Sequence, residues 1–173
     1  MTESFEFEEV EHFTAGAVGE PGARVFYLQM GSLSAPIALK CEKLQVGALA
    51  EYLVGVVADL PPAEPATASM ELVTPVLSEW IAGTMSVAYD DTNDRIVLVI
   101  EQALEESDLD PDNPTELPEL SSVRLRLTRG QVLSYVEHAS ALVEAGRPPC
   151  PLCGHPRGPD HSCPRTNGHG PPR

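Results

Sequence analysis

Two stretches of this chain run in the same order, and that constrains the fold more than any single motif. Arg24-Val25-Phe26-Tyr27-Leu28-Gln29 follows the turn-rich Gly19-Glu20-Pro21-Gly22. Arg95-Ile96-Val97-Leu98-Val99-Ile100 follows Asp90-Asp91-Thr92-Asn93-Asp94. Pro then Gly suits a type II turn, because Pro presets φ and Gly accepts φ > 0; Asp and Asn do similar work in the second turn. Both sites therefore read as hairpins. A strand-like run containing a glycine precedes each hairpin: His12 to Val18 with Gly16, and Trp80 to Tyr89 with Gly83. A third strand and a helix follow each. Ile37 to Lys40 leads into Gln45-Val46 and an apolar-periodic run to Leu60. Val123 to Leu127 leads into Gln131-Val132 and a similar run to Val143. Gln45 aligns with Gln131 and Glu51 with Glu137, so the order is β-β-β-α twice and points to a duplicated module.

The helices carry local signals. Thr128 with Gln131 is a capping box. Val132, Val136, Ala139 and Val143 mark one buried stripe, and Val46, Leu49, Leu53, Val56 and Leu60 the other. Gly146 is a natural C′ residue, followed by Pro148-Pro149, and Pro61-Pro62 ends the first helix. Residues 61–69 read as a linker between halves at about 1–60 and 70–146. Residues 101–120 hold eight acids and three prolines and read as a long acidic loop. Asp108, Asp110 and Asp112 alternate there, but the glycine and closing glutamate of an EF-hand loop are missing. Neither module can bury its apolar face alone. The expectation is an α+β domain over 1–146: duplicated β-β-β-α modules with pseudo-two-fold symmetry, in a curved antiparallel sheet or partial barrel with two helices.

Of the 173 residues, 147–173 form a distinct tail. The tail holds four arginines and one acid, Asp160, a balance of +3, which leaves −18 on residues 1–146 of the overall −15. An acidic body repels phosphate, so nucleic acid is an unfavoured partner. No apolar stretch approaches the roughly 20 residues that span a bilayer. The acidic start, Met1-Thr2-Glu3-Ser4-Phe5-Glu6, lacks the layout of a signal peptide. The expected location is the cytoplasm, where clustered cysteines hold metal more often than they form disulfides.

The tail carries the one sharp chemical pattern. Cys150-Pro151-Leu152-Cys153-Gly154 is a zinc knuckle: two intervening residues let both sulfurs reach one ion, and the glycine permits the tight turn. His161 and Cys163, two apart, project to the same side of an extended segment. The ligand set is Cys150, Cys153, His161 and Cys163, with His155 or His169 as alternatives for the fourth position. Four protein ligands leave no open position, which makes zinc structural rather than catalytic. Cys41 reads as a small core residue.

The ending Arg147-Pro148-Pro149-Cys150-Pro151-Leu152-Cys153-Gly154 with His161-Ser162-Cys163-Pro164-Arg165-x-Asn167-Gly168 resembles that of an actinobacterial family of uncharacterised proteins of the DUF3090 type. The likeness extends to Phe13-x-Ala15-Gly16-x-Val18-Gly19-x-Pro21-Gly22, to Ala48 through Glu51, and to Gly83-Thr84-Met85. It implies Cys150, Cys153, His161 and Cys163 as the recurrent ligand set, and it implies no activity.

Three function classes follow. The first is a non-enzymatic interaction or scaffold module with a protein partner. The second is an enzyme with a small ligand between the halves, for which His12, Glu51, Glu137 and His138 are candidates and Glu51 with Glu137 the acid/base couple. The third is single-stranded nucleic-acid binding through Arg124, Arg126 and Arg129 with Tyr27 and Tyr89. No Walker loop, dinucleotide fingerprint or G-x-S-x-G elbow occurs.

Overall fold

The computed structural model describes residues 2–113, 115–146, 149–155, 157 and 161–165. A short strand, β1 (Phe5–Phe7), precedes β2 (His12–Val18), β3 (Val25–Gly31), β4 (Pro36–Cys41) and helix α1 (Lys43–Ala58). Then come β5 (Ser78–Asp90), β6 (Arg95–Gln102), β7 (Ser122–Leu127) and helix α2 (Arg129–Glu144). The two β-β-β-α runs are thus present in the expected order, with β1 added in front.

Local chemistry explains the elements. Glu20 to Ala23 is a type II turn: Ala23 N–H donates to Glu20 O at 2.9 Å and Gly22 takes φ +91°. In the second hairpin Asp90 accepts the Asn93 N–H at 3.2 Å, and Asp94 sits at φ +50°. Thr128 Oγ1 accepts the Gln131 N–H at 3.1 Å while Gln131 Oε1 accepts the Thr128 N–H at 2.9 Å. Gln45 Oε1 accepts the Glu42 N–H at 2.8 Å in the same way.

All seven strands form one sheet, ordered β1-β7-β6-β5-β4-β3-β2. It is mixed rather than antiparallel, which corrects the expectation. β4 pairs with β5 in parallel, and β1 pairs with β7 in parallel. A parallel neighbour needs a long crossover, and α1 with the segment after it supplies one. β1 was not foreseen, because three residues separated from β7 by over a hundred carry no local signature.

β1 and β2 stand at opposite ends of the strand order, yet only residues 8–11 join them. A flat sheet of seven strands would be about 29 Å across at ~4.8 Å per gap, whereas the step from residue 7 to 12 reaches at most about 18 Å. The sheet must therefore curl until its ends nearly meet, and it wraps the helices. Phe13, Leu28, Met30, Leu39, Ile96, Leu98, Ile100, Leu125 and Leu127 from the strands share one core with Val46, Leu49, Leu53, Val132, Tyr135 and Ala139 from the helices.

The capping glutamines also tie helices to this curl. Gln45 Nε2 donates to Ala82 O at 2.9 Å and Gly83 O at 3.1 Å, where β5 changes partner from β4 to β6. Gln131 Nε2 donates to Val10 O, in the break between β1 and β2.

The 59–77 connection is docked on the fold. Ala66 N–H donates to Gly130 O at 2.9 Å, and Ser134 Oγ donates to Ala66 O at 2.8 Å. Thr14 Oγ1 donates to Met70 O at 2.6 Å, and Gln29 exchanges bonds with the Val73 backbone at 2.9 and 2.7 Å. Gly16 gives Leu72 its seat: a Cβ there would lie 2.4 Å from Leu72 Cγ. Segment 64–73 is a strap, since its backbone groups are matched by buried side chains.

Charges pin the curl from outside. Arg126 lies 2.9 Å from carboxylate oxygens of both Glu8 and Asp90. Arg129 Nη2 lies 3.0 Å from Asp94, and the more exposed Arg124 lies 3.8 Å from Glu6. Hydrogen bonds from Asn93, then Arg126, hold the Asp90 carboxyl below its ordinary value of 3.8. Arg129, then Tyr89, does the same for Asp94. A depressed folded-state value adds stability above the ordinary value, and that stability is lost as pH falls through the folded one. The chain should therefore lose stability from about pH 4 downward. Asp90→Asn and Asp94→Asn should be less stable than the parent at pH 7, with a smaller gap at pH 3, below the ordinary value of 3.8. Urea midpoints at both pH values check this; a gap that widens in acid contradicts it.

Candidate metal centre

The turn after α2 begins with Cys150. Its N–H donates to His155 O at 2.8 Å, and its carbonyl accepts the Gly154 N–H at 2.8 Å. Closing that loop needs a left-handed residue, and Gly154 supplies it at φ +73°. Cys153 lies on the turn, and His161 and Cys163 bring their side chains against the two cysteines of the loop.

The result is a cluster of four donor atoms, from Cys150, Cys153, His161 and Cys163, all within 4.8 Å of one another. Cys150 Sγ is 3.9 Å from Cys163 Sγ, and Cys153 Sγ is 3.6 Å from His161 Nε2. Tetrahedral coordination with ~2.3 Å metal–sulfur and ~2.05 Å metal–nitrogen bonds requires edges of about 3.8 Å between sulfurs and about 3.6 Å from sulfur to nitrogen. The two measured edges fit those lengths. The Cys150–Cys163 separation of 3.9 Å is far beyond an S–S bond of about 2.05 Å, so these two sulfurs do not form a disulfide.

Cys150 and Cys163 are buried, while Cys153 and His161 are half-buried. The backbone N–H groups of Cys153 and Leu152 bond to the Cys150 sulfur and draw its thiol down to about 6. Burial, with the adjoining thiols, pushes Cys153 up instead. A bound cation would remove that opposition by holding every sulfur as thiolate. The amide support at Cys150 is a part of the site that spacing alone does not display; the glycine at 154 was its one visible sign.

Among the described residues this is the cluster able to hold a metal ion. His155 contributes its backbone carbonyl to the loop, and its ring is exposed and not among the four donors. His169, the other alternative, lies outside the described residues, as do Arg147 and Pro148. In the acidic loop, Asp108 Oδ2 and Asp110 Oδ1 accept local backbone N–H groups at 2.9 Å in an exposed setting. Cys41 is buried in the core, and desolvation, then Glu42, pushes its thiol up to about 12, as suits a packing residue.

The other candidates do not converge. Glu51 and Glu137 are both exposed. His12 is buried and its Nε2 lies 2.9 Å from Gln29 Oε1, the oxygen that also accepts the Val73 N–H. His138 Nε2 lies 2.8 Å from Ala15 O. Glu51 lines a cavity of about 190 Å³ between α1 and α2 to which Glu137 does not contribute, and both imidazoles are committed to the strands. Arg124, Arg126 and Arg129 each face a carboxylate, of Glu6, of Glu8 and Asp90, and of Asp94 respectively. Among the described residues no helix is long and apolar enough to cross a membrane.

No curated protein and no solved structure matches the chain. A family model described as a protein of unknown function, DUF3090, matches residues 5–163. That span starts at β1 and ends on Cys163, the last of the four donors, and the chain belongs to the DUF3090 family.

Proposed function

We propose that this chain is a non-enzymatic interaction module of the cytoplasm in which a structural zinc ion, held by Cys150, Cys153, His161 and Cys163, closes the tail against fraying. The observation that carries the reading is the complete donor set. Three sulfurs and one imidazole nitrogen lie within 4.8 Å of one another, and four such donors on one zinc ion would leave no coordination position for water or substrate. The donor chemistry favours zinc over harder cations, since thiolates select soft and borderline metals. A thiol-rich site also belongs in a reducing compartment. The exposed positions of Glu51 and Glu137 speak for a scaffold over an enzyme, and the paired arginines speak for a protein partner over nucleic acid.

The body of this module is read as an internal duplication with a pseudo-two-fold axis. Three correspondences support it. In each half the third strand pairs in parallel with a strand at the start of the other half. Each helix opens with a capping-box glutamine. Each of those glutamines also bonds a carbonyl at the break in the opposite leading strand.

Metal analysis of purified protein tests the ligand set. One zinc per chain is expected in the parent and in His155→Ala, and a fall to well below half in His161→Ala. Full zinc in His161→Ala, or loss in His155→Ala, would overturn the assignment.

A further inference from the structure

We propose that the groove between α1 and β5 is a docking site for an extended apolar peptide of a partner protein, taken up as an added strand on β5. β4 pairs with β5 only at Ser78, Trp80 and Ile81, and β6 pairs with it from Ala82 to Asp90. Beyond Gly83, the edge of β5 turned away from β6 therefore has no neighbouring strand among the described residues. Beside that edge lies a cavity of about 520 Å³. Ala48, Leu49 and Tyr52 of α1 line one wall, and Met85, Ser86 and Val87 of β5 the other. Tyr52 is 59% exposed and Leu44, one turn before Ala48, is 86% exposed. An open strand edge with an apolar helix wall is the setting in which peptides add by backbone pairing, with side-chain pockets giving selectivity.

The same chain shows what fills the corresponding place between α2 and β2. Counting from the capping glutamine, Ser134, Tyr135 and His138 stand where Ala48, Leu49 and Tyr52 stand on α1. Counting back from the hairpin, Phe13 stands where Met85 stands. There the Phe13 and Tyr135 rings stack at 4.7 Å, and His138 bonds to Ala15 O of the strand. The chain's own extended strap enters too, with Ser134 bonding Ala66, and a cavity of only about 10 Å³ remains. At α1 the aromatic pair is replaced by Leu49 and Met85, the Ser134 hydroxyl by the Ala48 methyl, and no segment of the chain crosses among the described residues. The α2 groove takes an extended segment with small and apolar side chains, and the α1 groove is left open for one. The −15 charge of the chain favours a peptide flanked by lysine or arginine. A small apolar ligand would fill the volume but leave the strand edge unpaired.

The probe is a displayed library of random ten-residue peptides selected on the whole zinc-loaded chain. Individual binders are then titrated and followed by amide chemical shifts. The expected result is extended apolar sequences with basic flanks, shifts at residues 84–90 and at Tyr52, and binding at least about tenfold weaker in Ala48→Trp, which fills the groove. Ala48→Glu should weaken binding similarly, and Ala141→Trp, on the exposed face of α2, should leave it unchanged. The proposal is overturned if no peptide is selected, if binding survives both Ala48 variants, or if the shifts fall elsewhere. It is also overturned if light scattering shows that a second copy of the chain occupies β5, or if only small apolar molecules move these amides. The groove shares no residue with the metal cluster, so its failure would leave the zinc reading standing, and the reverse.

Discussion

Cys163→Ser is expected to lower bound zinc from one per chain to less than about a tenth, and to disorder the tail while the body stays folded. Cys163 is one of the three sulfur donors of the cluster and is buried beside Cys150. Serine keeps the shape but does not supply a soft anionic donor at neutral pH. Leu152 of the tail is 41% exposed, and the Cys150 backbone makes two hydrogen bonds that close its loop. Metal binding free energy in such small elements is folding free energy, on the order of 10–16 kcal/mol. Neither Cys150 nor Cys163 belongs to the hydrophobic core cluster, so the core should not register the loss. Three measurements separate the parts. Metal content falls, tryptic cleavage after Arg157 and Arg165 quickens, and the near-ultraviolet signal of Trp80, the single tryptophan, holds its melting temperature. Retained zinc would exclude Cys163 as a ligand. A matching fall in the Trp80 transition would show that tail and body fold as one unit.

Phe13→Ala should cost about 3–5 kcal/mol, a large share of the 5–15 kcal/mol typical of a domain. Phe13 is 5% exposed and stacks on Tyr135, which is fully buried. Tyr135 also reaches α1, its hydroxyl donating to Val46 O at 3.3 Å. The pair thus joins β2 to α2 and α2 to α1, and truncation opens a cavity where three elements meet. Met85→Ala, at the corresponding place on β5, removes a half-buried side chain beside an open groove and should cost about 1 kcal/mol or less. Urea denaturation of both variants checks the contrast. Equal losses would mean that the α1–β5 groove is as closed as its counterpart.

What could be read in the residues was what depends on near neighbours. Pro21-Gly22 announced its turn because only glycine takes φ +91° without strain. Thr128 and Gln131 announced the start of α2 because a capping box spans four residues. The four donors were readable because two residues between Cys150 and Cys153, and one between His161 and Cys163, keep each pair of donors close enough for one ion. Other features were out of reach for the opposite reason. Glu51 and Glu137 occupy matching positions, yet matching positions do not enclose a site, and both face solvent. The Pro- and Ala-rich stretch after α1 has a linker's composition, but Thr14, Gln29 and Ser134, distant in sequence, supply its hydrogen bonds.

The sequence by itself therefore determined the order of the two β-β-β-α runs, without β1, their turns and caps, and the make-up of the Cys/His cluster, since each rests on φ, on hydrogen bonds a few residues long, or on donor chemistry. Only the tertiary structure decided how those pieces met. The parallel pairings of β1 with β7 and β4 with β5 curl the sheet around the helices. The strap and the Phe13–Tyr135 stack fill one groove. The other, between α1 and β5, stays open. Those outcomes depend on contacts between residues from several dozen to more than a hundred positions apart, and no local preference specifies which distant partner a strand edge or an apolar face will meet.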